Sequence, residues 1–140
     1  MSARHCRRGR VPFLPDAVEE PRTVVSLFEQ LVDVDGEPQT VALLIDRRGH
    51  ALTAMQRAGD VSPNDLFDLC AVCSGAGDAD EIELLIVASW RPGTWAQLQP
   101  GDDDCWFGML ERTSGGDVHL VDWLLIDGSD VTSIATECGR

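Results

Sequence analysis

The 140-residue sequence contains no tyrosine and no lysine, so all 11 of its basic residues are arginine. We interpret both absences as compositional bias rather than as signs of a mechanism. Long apolar runs are also missing, because the longest, around Leu84–Trp90, is far shorter than the ~20 residues of a membrane-spanning helix. The N-terminal VPFLP is too short and too proline-rich for a signal peptide. We therefore expect a soluble, cytoplasmic protein.

Basic charge is scarce and unevenly distributed. The net charge is −13, and the first ten residues hold four arginines and no acidic residue, so the remaining 130 carry 4 less, a net −17. Such an acidic body repels phosphate, and nucleic acid is therefore not an expected partner. Residues 1–20 are predicted to form a flexible basic arm, since Pro12 and Pro15 discourage regular structure. The arm could touch an acidic partner or nucleic acid, but we favour a frayed terminus.

The five cysteines do not suggest a disulfide framework. Their number is odd, only Cys70 and Cys73 lie close together in the sequence, and cytosolic thiols stay reduced. A chain of this length forms one core without disulfides. We expect a single domain over residues 21–140.

Apolar periodicity predicts an α/β fold, a mixed β-sheet flanked by helices. The segment EIELLIVAS, residues 81–89, contains a continuous apolar run from Leu84 to Ala88, which indicates a central strand buried on both faces. Serine followed by proline at 62–63 is a typical helix start. The predicted elements are a helix over Arg22–Val32 with Thr23 as N-cap, strands over 39–46 and 51–57 around a turn with His50, a helix over 63–73, the central strand, a helix from Asp102, and strands over 118–127 and 130–136.

The segment LLIVASWRPGTWAQLQPGDDD, Leu84 to Asp104, is the strongest candidate for a functional site. It combines the end of the central strand, a polar loop and the acidic start of a helix. Sheet proteins of the α/β class often bind ligands at such strand ends.

Residues 40–135 contain three segments, LLIDRRGHAL, AGDVSPNDLFDLC and VHLVDWLLIDGSDVTSIA, and through them the chain resembles the RadC-like branch of the JAB/MPN metalloprotease fold. The segment LLIDRRGHAL is similar to the family's strand, Leu-Asp, turn and strand opening. AGDVSPNDLFDLC stands where the family has a glycine, a short strand end and a helix. VHLVDWLLIDGSDVTSIA is similar to its closing strand, Asp-His dipeptide and hairpin. The resemblance implies a JAB/MPN-like, cytidine-deaminase-like architecture.

The resemblance also implies a metal motif, His-x-His, seven residues, Ser, two residues and Asp. On this chain the two histidines fall on Ser89 and Arg91, the serine on Gln99 and the aspartate on Asp102. The family's Asp-His near the end corresponds to Asp122-Trp123. The spacing is kept, but both imidazoles and the serine are missing.

These substitutions argue against a catalytic metal. A serine hydroxyl is a poor substitute for imidazole at neutral pH, and arginine has no acceptor atom. A guanidinium ~4 Å from a divalent ion is repelled by roughly 8 kcal/mol at an effective dielectric of 20, against the about 10–16 kcal/mol with which structural zinc binds. We expect no metal, no cofactor and a pseudoenzyme. Arg91 is predicted either to pair with Asp102 in two-point contact or to point into solvent.

Three functions remain open at this point. The first is a noncatalytic protein- or peptide-binding module, because JAB/MPN folds that lost their metal are typically assembly subunits; its candidate cleft includes Trp90, Trp95 and Trp123. The alternative for the loop tryptophans is that they pack against the sheet.

The second possible function is a metal-dependent hydrolase of the isopeptidase or peptidase type, with a rearranged site. Its ligands would be Cys70, Cys73, Cys105 and Asp102. The third is a small structural protein without a ligand; an oligomer is compatible with each.

Overall fold

A computed structural model describes residues 11–12, 21–31, 33, 36–75 and 82–139. The helices and strands follow one another in nearly the predicted order. In chain order they are β1 (Val11–Pro12), α1 (Pro21–Leu31), β2 (Gln39–Asp46), β3 (His50–Ala58), α2 (Pro63–Ser74), β4 (Ile82–Trp90), α3 (Asp102–Thr113), β5 (His119–Asp127), β6 (Asp130–Ser133) and α4 (Ile134–Cys138).

The described strands form one mixed sheet in the order β1-β3-β2-β4-β5-β6. Among the described strands, β4 and β5 are the only parallel neighbours, and α3 connects them as a crossover helix, as parallel neighbours require. The other neighbouring pairs are antiparallel. The predicted α/β class with a mixed sheet flanked by helices is therefore confirmed.

Hydrophobic cores cover both faces of the sheet. On one face α2, α3 and α4 pack against the strands, and on the other α1 does so. Strand β4 contributes to both cores, because Leu85 and Val87 face the first while Ile86 and Ala88 face the second. This explains why its apolar run is continuous, and the prediction of a central strand buried on both faces is confirmed. Within the described ranges, no helix is long and apolar enough to cross a membrane.

The start of α2 positions the loop that leads out of β3. The Ser62 hydroxyl accepts a hydrogen bond from the backbone N–H of Asp65 at 3.2 Å, and the Asp65 carboxylate accepts one from the backbone of Ser62 at 3.0 Å. This reciprocal arrangement is a capping box. The predicted helix start at Ser62-Pro63 is confirmed.

Four local predictions need correction. Helix α1 begins at Pro21, so Thr23 lies inside it and is not its N-cap. His50 is the first residue of β3 rather than part of the turn. The last predicted strand ends at Ser133, whose hydroxyl caps the short helix α4. In the predicted arm, Val11–Pro12 pair with β3 as an edge strand, where proline is tolerated; residues 1–10 and 13–20 lie outside the described residues.

Candidate functional site

The loop between β4 and α3 is held by contacts to β5. The backbone N–H of Arg91 donates to the carbonyl of Ile126 at 2.8 Å, which extends the β4–β5 pairing by one residue. The backbone N–H of Trp95 donates to the Asp127 carboxylate at 2.8 Å. Trp95 and Ala96 both have left-handed backbone conformations, with φ of 59° and 57°. The two hydrogen bonds to β5 thus stabilise the conformation of this loop.

Arg91 and Asp102 form a two-point ion pair across this loop. The guanidinium Nη1 and Nη2 atoms donate to Oδ2 and Oδ1 of Asp102 at 2.8 and 3.1 Å. Their side chains are only 18% and 9% exposed, and the guanidinium lies over the Trp123 ring, 5.1 Å from its centroid. The backbone N–H of Gln99 also donates to Asp102 Oδ2, at 2.7 Å. The predicted pair is confirmed, and the alternative in which Arg91 points into solvent is wrong.

Ser89 is buried at the end of β4 in a small network of hydrogen bonds. Its Oγ lies 2.7 Å from the Thr40 hydroxyl on β2, and either oxygen can be the donor. The indole Nε1 of Trp123 donates to the same Oγ at 3.0 Å. Thus Ser89, Arg91 and Asp102, three of the four positions to which the sequence resemblance assigns the metal motif, all interact with neighbouring side chains. Gln99, at the fourth, is exposed and uses its backbone.

The Asp122-Trp123 dipeptide serves two different regions. The Asp122 carboxylate accepts hydrogen bonds from the backbone N–H groups of Trp123 and Ala135 at 2.8 and 3.0 Å, and a short one from the Ser133 hydroxyl. These contacts tie β5 to the β6–α4 junction. Trp123, in contrast, contacts the site through its ring and its indole N–H.

A cleft of about 320 Å³ opens between the end of β4, the start of β2 and the loop that joins β3 to α2. Ser89 and Arg91 lie in its wall together with Thr40. The described residues that line the cleft are Pro38, Gln39, Thr40, Gly59, Asp60, Val61, Ser89, Trp90, Arg91, Pro92, Thr94 and Gln99.

The three tryptophans of the predicted cleft do not come together in it. Trp90 lines the cleft but is buried, and its ring packs edge-on against Phe28 with centroids 5.8 Å apart. Trp123 is fully buried next to Ser89 and Arg91. Trp95 is 73% exposed and lies outside the lining. Packing against the sheet thus describes Trp90, whereas Trp95 is an exposed loop side chain.

The rearranged metal set is not assembled. No three His, Cys, Asp or Glu side chains converge in the arrangement of a metal site anywhere in the described part of the chain. Burial raises the pKa of the Cys70 thiol to about 12. Burial, reinforced by the charge of Asp102, raises the pKa of Cys105 to about 11. Since metals bind thiolates, these protonated core cysteines are unsuitable ligands, and the Asp102 carboxylate already binds Arg91.

Thr40 is a residue of the hydrogen-bond network that the sequence did not indicate. It is separated from Ser89 by 49 positions, and the two meet only because the β2–β4 register places them opposite each other. The N-terminal position of Thr40 in a fully buried strand was the only available signal, because a polar residue there needs a hydrogen-bond partner.

Comparison of the chain with protein-family models and with curated proteins gives no match. The described residues define an α/β protein with a mixed sheet of six strands. The resemblance to the JAB/MPN fold rests on the three sequence segments quoted in the sequence analysis.

Proposed function

We propose that this chain is a degenerate, RadC-like JAB/MPN domain that has no hydrolase activity and binds a protein or peptide at the end of β4. The three sequence segments and a mixed sheet with helices on both faces are compatible with such a domain. The observation that carries the proposal is the ion pair between Arg91 and Asp102.

The ion pair is incompatible with the requirements of metal catalysis. A catalytic zinc needs about three protein ligands and an open position for water. Both oxygens of Asp102 accept from Arg91, so the remaining carboxylate of the motif is occupied. A cation already fills the space beside that carboxylate, and the Ser89 hydroxyl is engaged with Thr40 and Trp123.

A binding role is supported by the exposed indole of Trp95. Its backbone and that of Ala96 are left-handed, a conformation that costs about 1–3 kcal/mol for a residue other than glycine. The hydrogen bond from Trp95 N–H to Asp127 stabilises this turn. Exposed tryptophans are frequent anchors of protein interfaces. A strained turn that holds a large apolar side chain in solvent beside an open cleft therefore favours partner binding.

The absence of metal chemistry is tested directly on untagged protein purified from zinc-supplemented cells. We expect zinc far below one ion per chain by elemental mass spectrometry, and no cleavage of isopeptide-linked or linear peptide substrates. Stoichiometric zinc that disappears in the Asp102→Ala variant, together with cleavage that a chelator abolishes, would overturn the proposal.

The binding role predicts a specific effect of Trp95→Ala. A partner protein captured by the immobilised chain and identified is expected to bind the variant at least ~30-fold more weakly, the effect of losing a central anchor residue. Surface plasmon resonance with the purified partner measures this. Leu98→Ala is the matched control, because Leu98 is an exposed apolar residue of the same loop. Equal affinity of the Trp95→Ala variant and the wild-type chain would show that Trp95 is not the anchor.

A further inference from the structure

The hydrogen-bond network of Thr40, Ser89 and Trp123 beside the cleft contains one more donor proton than it has acceptors for. Ser89 and Thr40 carry two hydroxyl protons, and only one of them lies between the two oxygens. Trp123 adds its own N–H, which is donated to Ser89 Oγ. Whichever hydroxyl donates to the other, one hydroxyl proton is left over, because an indole N–H cannot accept it.

The surplus proton has no acceptor in the described part of the chain. Besides each other and Trp123, neither Ser89 nor Thr40 forms a further side-chain hydrogen bond with any residue that the structure describes. Both residues are at least 98% buried, so bulk solvent does not surround them, yet both line the cleft. A buried donor without an acceptor costs about 1–3 kcal/mol. The cleft is the side from which an acceptor can reach it.

Arg91 adds further donors to the same cleft. A guanidinium has five N–H groups, and the pair with Asp102 uses two of them. No other side-chain hydrogen bond of Arg91 is formed with the described residues. Arg91 lines the cleft beside Ser89. The wall at the end of β4 therefore presents hydrogen-bond donors, which an oxygen acceptor of a ligand would satisfy.

The charge of the cleft indicates which oxygen fits. Arg91 is neutralised by Asp102, and Asp60 contributes a carboxylate to the lining. The whole chain carries −13. The described lining residues therefore provide no surplus positive charge that would attract a carboxylate. A neutral carbonyl oxygen, as in a peptide backbone, matches the donors without this electrostatic cost.

We propose that the cleft binds a backbone carbonyl of an extended peptide through the surplus hydroxyl proton of Ser89 and Thr40, with Arg91 as a second donor. This inference rests on the proposed binding function and specifies the chemistry of its ligand. The hydroxyls here bind and orient the carbonyl, and no bond is made or broken.

Nuclear magnetic resonance of the tryptophan indoles tests the proposal in the full chain. Acetyl-trialanine amide is titrated against ¹⁵N-labelled protein, with acetyl-trialanine free acid in parallel. We expect the amide to shift the Trp123 indole resonance saturably, since that N–H donates to Ser89. The Trp106 indole, which donates to the Gly139 carbonyl at 2.7 Å, is the internal control and should not move.

Two variants separate the hydroxyls from the rest of the cleft. The Thr40→Val/Ser89→Ala double variant removes both hydroxyls and is expected to bind the amide about tenfold more weakly, judged from the backbone resonances of Gly59 and Thr94. Thr40→Ser keeps the hydroxyl and should bind within about twofold of wild type. If the double variant does not fold, the comparison of amide and acid on the wild-type chain decides alone.

Three results would overturn the inference. The first is a Trp123 indole resonance that does not shift at saturating amide concentrations, and the second is an affinity of the folded double variant for the amide equal to that of wild type. The third is binding of the free acid at least tenfold tighter than that of the amide, which would identify a carboxylate ligand. Each leaves the proposed function standing if Trp95→Ala still weakens partner binding by at least ~30-fold. Stoichiometric zinc would instead remove the proposed function itself.

Discussion

Replacing Asp102 with alanine is expected to lower the free energy of unfolding by about 3–5 kcal/mol, the usual effect of removing one partner from a largely buried ion pair. Arg91 would keep its charge at a position where only 18% of the side chain is exposed. The backbone N–H of Gln99 would also lose its acceptor. Urea unfolding at pH 7, followed by tryptophan fluorescence, measures the change.

Asp103→Ala is the matched control. Asp103 lies in the same first turn of α3 and has the same favourable interaction with the helix dipole, but it is exposed. We expect its replacement to cost no more than about 1 kcal/mol. Combining Asp102→Ala with Arg91→Met should recover part of the loss, because the unpaired cation is then removed. Equal effects of the two aspartate substitutions would mean that the ion pair contributes little.

The order of the long elements could be predicted because each has a local cause. The capping box at Ser62 and the continuous apolar run of β4 are patterns within a dozen residues. Helix α4 was missed because it has only five residues and follows β6 without a break. Its start depends on Ser133, whose hydroxyl also contacts Asp122, and such a tertiary contact has no local pattern.

Contacts of the site could be predicted where the two residues lie close together along the chain. Arg91 and Asp102 belong to one strand–loop–helix unit, so their meeting follows from a local turn. The hydrogen bond between Ser89 and Thr40 needs the β2–β4 register, which the sequence does not specify. The burial of Trp90 could have been inferred from strand alternation. It shares a face with Ile86 and Ala88, so its side chain packs in the core with α1 even though the residue also lines the cleft.

The second large effect is expected from introducing two imidazoles at the positions to which the proposed JAB/MPN likeness assigns histidine. The Ser89→His/Arg91→His variant should bind one zinc ion with a dissociation constant of about 1 µM or lower, equivalent to about 8 kcal/mol. The Ser89 and Arg91 side chains both contact Trp123, and Asp102 lies beside Arg91. Two imidazoles at these positions would therefore point to one region with the Asp102 carboxylate, which gives the three protein ligands of a catalytic zinc site. Calorimetric titration of the metal-free variant with zinc measures the affinity.

The controls for this variant follow from the charges. Arg91→His alone removes the repulsion of roughly 8 kcal/mol between a guanidinium and a divalent ion, but it supplies only one imidazole with Asp102 and should bind zinc at least ~100-fold more weakly. Adding Asp102→Ala to the double-histidine variant should abolish binding. A folded double-histidine variant that takes up no zinc would show that the end of β4 does not have the geometry of a metal site. The resemblance to metalloproteases would then lose its physical basis, whereas the ion pair and the donor-rich cleft would remain as features of an unrelated α/β domain.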